Sequence, residues 1–230
     1  MYLEHRAAIR ESWAGVAQNE TVIVFLLGRA VNSDETIVKI SDEAAKYSDI
    51  LLGDYTDTYA NLTMKECWII DYDLYAMKRS LWDFKKVYFQ LWKALSGLQW
   101  RTEECPKPEY SLSIDDDTFV DLKTLTFKHL SRLPVDSDYI ECSQRTVVNG
   151  KVWREGKWAV SSEIYDSETY PNYCNGPCYL MPKSTSEKLF EISKSTKADL
   201  QADDALLTGI FRSKATIPLI QVLSLHLNII

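Results

Sequence analysis

Residues 21–28 read TVIVFLLG, an unbroken apolar run rich in β-branched side chains and closed by Gly28. A strand with one wet face alternates apolar and polar positions, so a strand with no polar position has both faces covered. The run therefore predicts a strand in a parallel or mixed sheet with helices packed on it. At 230 residues and 46% hydrophobic content the chain has ample material for such a core.

The remaining pattern fits that frame. Residues 41–54, SDEAAKYSDILLGD, read as a helix end followed by a short strand. From Glu66 to Leu98 the apolar positions Leu74, Met77, Leu81, Phe84, Tyr88, Leu91 and Leu95 recur every three or four residues, which predicts a helix. Tyr110, Leu112 and Ile114 alternate with serines, the signature of a half-buried strand. Residues 124–133 form a short amphipathic helix closed by Pro134, and Asn149-Gly150 is a hairpin signal. STSEKLFEISKST predicts a helix capped by Ser184 or Thr185, and ADDALLTGIFRSKA one with acidic residues in its first turn. Alternating strands and helices followed by hairpins give an α/β sheet with an antiparallel addition. No repeat, low-complexity tract or linker interrupts it, so residues 1–230 read as a single domain.

A net charge of -7 with no Lys/Arg cluster argues against nucleic acid as the partner. It does not exclude an anionic substrate, because a divalent cation reverses the local sign. No stretch approaches the ~20 apolar residues of a membrane span and the N-terminus does not read as a signal peptide, so the chain as given reads as soluble. Cys67, Cys105, Cys142, Cys174 and Cys178 fit no zinc spacing, and two glycosylation sequons start at Asn19 and Asn61. His5, His129 and His226 are too dispersed for a triad or metal set, with His226 a candidate to complete a metal shell.

Asp115, Asp116 and Asp117 follow the 110–114 strand directly, and Thr118-Phe119-Val120 returns at once to core-type residues. Three adjacent carboxylates repel one another unless water, a helix start or a cation relieves them. At a strand end, where α/β sheets bind ligands, hard oxygen donors suit Mg²⁺ or Mn²⁺ with positions left open for phosphate. A solvated turn is the bland alternative. Asp203 and Asp204 begin a helix, where they either cap it or supply a general base. The loop YPNYCNGPCYLMP, 170–182, carries Gly176, which allows close backbone approach to a ligand.

HRAAIRESW (5–13), FLLG (25–28), YSDILLGDYTDTYANLTMK (47–65), IDDDTFV (114–120), KWAVS (157–161), YPNYCNGPCYLM (170–181) and DDALLTG (203–209) occur in an order that resembles the β-1,3-galactosyltransferase family, glycosyltransferase family 31. This family also holds β-1,3-N-acetylglucosaminyltransferases. The resemblance implies a GT-A-like α/β fold, a mixed sheet flanked by helices that binds a UDP-sugar with Mn²⁺. It implies an inverting hexosyltransferase acting on a glycan acceptor of a protein or lipid, held in the Golgi membrane by an anchor absent from this chain, with its catalytic domain in the lumen. By the same resemblance Asp117 is the main metal ligand, Asp115 and Asp116 lie near ribose and metal, and Asp204, or else Asp203, is the base. Arg6 and Arg10 match early arginines near the nucleotide, and Trp158, Tyr173 and Gly176 line the donor or acceptor pocket. An oxidising lumen would let Cys105, Cys142, Cys174 and Cys178 pair.

The chain departs from the family in three places. Only four residues precede His5, where the family has a first strand, stem and anchor; residues 66–86 read as an insertion; and DDALLTG and CNGPCY vary the usual motifs. A catalytically silent relative that binds glycans or partner transferases is the alternative of another class, and a metal-free glycosidase a third.

Overall fold

The computed structural model of the chain describes residues 3–16, 21–29, 34–56, 66–71, 93–175, 177–196, 200, 202–222 and 227–229. The apolar run forms β1 (Thr21–Arg29). Val24 and Leu26 enter one hydrophobic core while Phe25 and Leu27 enter a second on the opposite face. All four are at most 6% exposed, and each contributes roughly 1.5–3 kcal/mol by leaving water.

A seven-stranded mixed sheet separates the two cores, in the order β10-β6-β9-β4-β3-β1-β2. Its strands are β2 (Ile50–Thr56), β3 (Glu66–Asp71), β4 (Tyr110–Asp115), β6 (Ile140–Cys142), β9 (Cys178–Pro182) and β10 (Leu219–Gln221) beside β1. β1–β2 and β6–β10 are parallel pairs, and the other pairings are antiparallel. Two small antiparallel ribbons complete it: β5 (Thr118–Val120) with β11 (Leu227–Ile229), and β7 (Arg145–Val147) with β8 (Tyr173–Asn175).

Helices cover both faces. α1 (Leu3–Glu11) and α2 (Asp34–Tyr47) place Ile9, Ile40 and Ala44 against one face, joined by Leu122 of α4 (Leu122–Thr124) and by the π-helical Leu125–His129. α3 (Lys93–Glu103) and α5 (Lys183–Ser195) supply Leu95, Leu98, Leu189 and Phe190 to the other. A π-helical stretch, Ala205–Phe211, continues into α6 (Arg212–Lys214) and packs on the same side.

Four sequence expectations change. Residues 66–71 are not helical: they form β3, paired on both edges inside the sheet, and the helical spacing that starts at Leu74 falls on residues 72–92, outside the described residues. The residues read as an insertion therefore begin with a strand paired on both edges. β4 is buried on both faces, because Ser111 meets Arg101 Nε at 3.1 Å and Ser186 Oγ at 3.2 Å, so its hydroxyl is satisfied without water. Asn149 takes a positive φ of 48°, yet β7 pairs with the distant β8 and Lys151 bridges Thr169, so the Asn-Gly pair turns the chain without closing a hairpin. Pro182, not Ser184 or Thr185, occupies the N-cap of α5, and the Thr185 hydroxyl accepts from the Tyr139 N–H.

Cys142 and Cys174 form a disulfide that joins β6 to β8, while Cys105 and Cys178 are buried free thiols. No described helix is long and apolar enough to cross a membrane.

Candidate active site

The acidic triplet sits where β4 runs out. Asp115 ends the strand, Asp116 and Asp117 form the turn, and β5 leaves for a different sheet. Asp115 and Asp116 are half-buried and Asp117 is exposed. α1 reaches this turn: His5 Nδ1 lies 3.6 Å from Asp116 Oδ2, a histidine that sequence spacing left unassigned because the contact joins residues 111 apart.

Among the described residues no three His, Cys, Asp or Glu side chains converge into a metal-binding cluster. The turn thus offers one or two hard carboxylate donors, the donor set that suits Mg²⁺ or Mn²⁺ when substrate phosphates and water complete the shell. Asp115 and the exposed Asp117 fit such an ion in type and place.

The second acidic pair is built differently. Asp203 is 1% exposed, and its Oδ1 accepts the Asp204 N–H at 2.9 Å. Asp204 is half-buried, caps the π-helical stretch, and accepts the Ala205 N–H at 2.7 Å. Burial pushes the Asp204 carboxyl up to about 6, with backbone N–H bonds opposing the rise. Asp204 thus caps the stretch, as local chemistry predicts, Asp203 holds the Asp204 N–H, and the Asp204 side chain stays partly open to solvent.

β8 bonds toward the second acidic group, and Pro177, just before β9, bonds toward the first. The Cys174 N–H donates to Thr208 Oγ1 at 2.9 Å, and that hydroxyl donates to the Asp204 carbonyl at 2.5 Å. At the other end the Asp115 N–H donates to the Pro177 carbonyl at 2.8 Å. Four residues cannot extend beyond ~14 Å, which keeps the Asp115 and Asp204 backbones within roughly 25 Å of each other. Arg212 adds a clamp, donating to the carbonyls of Thr208 at 3.0 Å and Asn172 at 2.9 Å.

Tyr173, the first residue of β8, is half-buried. A Cβ on Gly150 would lie 2.7 Å from Tyr173 Cε1, a clash with the ring, and one on Gly209 would lie 3.1 Å from Tyr173 Cβ, a tight contact. Burial and, secondarily, the Asp204 charge raise the Tyr173 hydroxyl above its ordinary value. The sequence motif ending in Gly209 held this signal, but its partner was not legible. Gly176 lies outside the described residues. Trp158 stands 51% exposed on the 153–160 loop, with Lys157 Nζ 4.7 Å from its ring centroid.

Arg6 and Arg10, expected beside the nucleotide, are both paired with carboxylates of the fold. Arg6 Nε and Nη2 donate to the two Glu43 oxygens at 2.9 and 2.5 Å. Arg10 donates to Glu43 at 2.7 Å and bidentately to Asp49 at 2.7 Å, with its guanidinium 4.1 Å from the Tyr47 ring centroid. These bonds pin α1 to α2 and the start of β2. Burial alone would raise the Glu43 carboxyl, but hydrogen bonds from Arg6 and Arg10 outweigh it and hold the group below its ordinary value.

A mixed sheet covered on both faces, with carboxylates at the end of a central strand, fits a GT-A-like glycosyltransferase fold. The chain is a member of the Galactosyltransferase family, whose profile matches residues 4–80 and 81–222. Among similar proteins is beta-1,3-galactosyltransferase 2 of Mus musculus, 28% identical over 200 residues, 83% of this chain and 40% of the relative. The Homo sapiens protein of that name gives the same figures. Beta-1,3-galactosyltransferase 1 of Mus musculus is 27% identical over 199 residues, 84% of this chain and 51% of the relative. The chain spans about half or less of the length of these curated relatives.

Proposed function

We propose that this chain is the catalytic domain of an inverting hexosyltransferase. It moves galactose or an N-acetylhexosamine from a UDP-sugar to a glycan acceptor on a protein or lipid, in a β-1,3 linkage, within the Golgi lumen. The family membership and the names of the similar proteins support the reaction class. The observation that carries the mechanism is Asp204: a partly exposed carboxyl pushed up to about 6, on a helix tied through Thr208 to β8, whose far end leads to the loop that meets the acidic turn.

In this reading Asp204 takes the proton from the attacking acceptor hydroxyl, whose oxygen bonds to the anomeric carbon as the bond to the diphosphate breaks on the opposite face. Asp203 accepts the backbone N–H of Asp204 and so fixes its position. Asp115 and Asp117 would hold Mn²⁺, which when bound supplies positive charge against the departing diphosphate. Tyr173, seated on Gly209, walls the site beside the base.

The test is direct. The protein is incubated with UDP-galactose, UDP-N-acetylglucosamine or UDP-N-acetylgalactosamine, Mn²⁺ and a saccharide panel, and UDP release and product mass are read. Transfer from one donor, lost in Asp204→Asn and Asp117→Ala, is the expected result. Mn²⁺-dependent UDP binding with neither transfer nor donor hydrolysis would return the chain to the non-catalytic, glycan-binding alternative.

A further inference from the structure

Several arginines of this chain are spent on the fold. Arg6 and Arg10 are paired with Glu43 and Asp49, while Arg154 and Arg212 donate to backbone carbonyls. Arg145, the first residue of β7, is exposed and, among the described residues, makes no hydrogen bond or ion pair. The β7–β8 ribbon decides where it stands. Arg145 pairs with Asn175, Thr146 with Cys174 and Val147 with Tyr173. Alternate residues of a strand share a face, and residues directly opposite share it too. Cys174 is buried in its disulfide to Cys142, so Thr146 and Cys174 turn inward. Arg145, Val147, Tyr173 and Asn175 take the other face. At Gly150 the two strands show it: a Cβ there would lie 2.9 Å from Val147 Cγ1 and 2.7 Å from Tyr173 Cε1.

The helix that Asp204 begins runs antiparallel to β8. Arg212 Nη2 donates to the Asn172 carbonyl at 2.9 Å, Gly209 packs on Tyr173, and Thr208 Oγ1 accepts the Cys174 N–H at 2.9 Å. Each step back along the helix is thus a step forward along the strand. Asp204, whose carbonyl accepts from the Thr208 hydroxyl about one turn later, lies toward the end of β8 at Asn175, the partner of Arg145. Beyond Asn175 the chain reaches Pro177, whose carbonyl accepts the Asp115 N–H. Arg145 therefore stands at the rim of the candidate site, on the side of the base. The Tyr173 hydroxyl is raised by burial first, then raised by the Asp204 charge and lowered by that of Arg145, in keeping with this placement.

In an inverting transfer the attacking hydroxyl and the departing diphosphate lie on opposite faces of the sugar, so a group beside the base meets the acceptor. A guanidinium binds carboxylate or sulfate oxygens through two parallel N–H bonds and gains far less from a neutral hydroxyl. The carboxylates of Asp115, Asp116, Asp117 and Asp204 repel an anionic acceptor, so a cation not spent on the fold is what admits one.

We propose that Arg145 is a specificity-determining residue that selects acceptor saccharides carrying a carboxylate or sulfate close to the attacked hydroxyl. This rests on the glycosyltransferase reading above.

The experiment is calorimetry on the whole chain with saturating UDP and Mn²⁺, using saccharides matched except for charge. The probes are methyl β-galactoside against methyl β-galacturonide, methyl β-glucoside against methyl β-glucuronide, and methyl β-N-acetylglucosaminide against its 6-sulfate. In the native protein the anionic member of at least one pair binds about three- to tenfold tighter, and the difference shrinks as salt is raised. Arg145→Gln lowers its affinity to that of the neutral twin. Arg145→Lys keeps part of the difference, as a point charge without the planar fork. Equal affinity within every pair, bound UDP without binding of any saccharide, or a preference that survives Arg145→Gln overturns the proposal. Weakened UDP binding in Arg145→Gln assigns the cation to the donor diphosphate and overturns it as well. Absence of UDP binding in the native protein overturns the glycosyltransferase reading with it.

Discussion

Two acidic groups in this molecule, one buried and one half-buried, have opposite fates. Glu43, with a side chain 4% exposed, faces Arg6 and Arg10 and is held below its ordinary value. Asp204 accepts the Ala205 N–H, forms no ion pair among the described residues, and is pushed up to about 6. The first group is neutralised within the fold and joins two helices. The second has no cation among the described residues to hold its charge. Burial acts on both, so burial alone does not mark a functional carboxylate; what faces it does.

Replacing Asp204 by Asn keeps the helix cap but removes the base, so transfer falls by about 10²- to 10⁴-fold. Steady-state rates at saturating donor and acceptor measure this, and a loss below tenfold would erase the distinction between the two groups.

Glu43→Ala leaves Arg6 buried without its partner and lowers unfolding free energy by about 3–5 kcal/mol. Denaturant melts read that loss. Arg6→Met combined with Glu43→Met removes both charges and should cost clearly less.

In stability the Asp204 substitution has the reverse sign. Near pH 8 the native carboxylate is ionised at a site that favours its proton, so Asp204→Asn stabilises by about 1–3 kcal/mol. The two sites also differ in pH dependence. Glu43 has a lowered folded value, so its contribution is full above 4.5 and disappears as pH falls through that folded value. Asp204 has a raised folded value, so the folded state is favoured below 3.8 and loses that advantage as pH rises toward 6. Melts of native, Glu43→Ala and Asp204→Asn proteins from pH 3 to 8 separate the two, since each variant flattens a different limb.

The smallest effect belongs to Thr208→Val, which removes the hydroxyl between Cys174 and Asp204 and leaves a buried N–H unsatisfied. About 1–3 kcal/mol of stability is lost, together with a modest fall in rate as the helix detaches from β8.

Some of this was legible before any coordinates. TVIVFLLG has no polar position, which only a doubly covered strand tolerates, and β1 is covered on both faces. The position of the acidic triplet followed from the strand before it. Other features depended on partners distant in sequence. Ser111 reads as a wet position until Arg101 and Ser186 supply its bonds. Arg6 and Arg10 carry no mark of Glu43 and Asp49, which lie 33 to 39 residues away. The ECWIID segment was absorbed into a helical pattern that begins after it, although its β-branched and aromatic residues suit the strand it forms. The packing of Tyr173 against Gly150 and Gly209, 23 and 36 residues away, was likewise not legible in the sequence.

The account turns on Asp204, and the pH dependence of kcat/KM for sugar transfer tests it most directly. The native enzyme should show a rate that climbs as one group deprotonates near pH 6 and then levels off, with Asp204→Asn showing a low rate free of that limb. The same limb persisting at a near-native rate in Asp204→Asn would contradict the account.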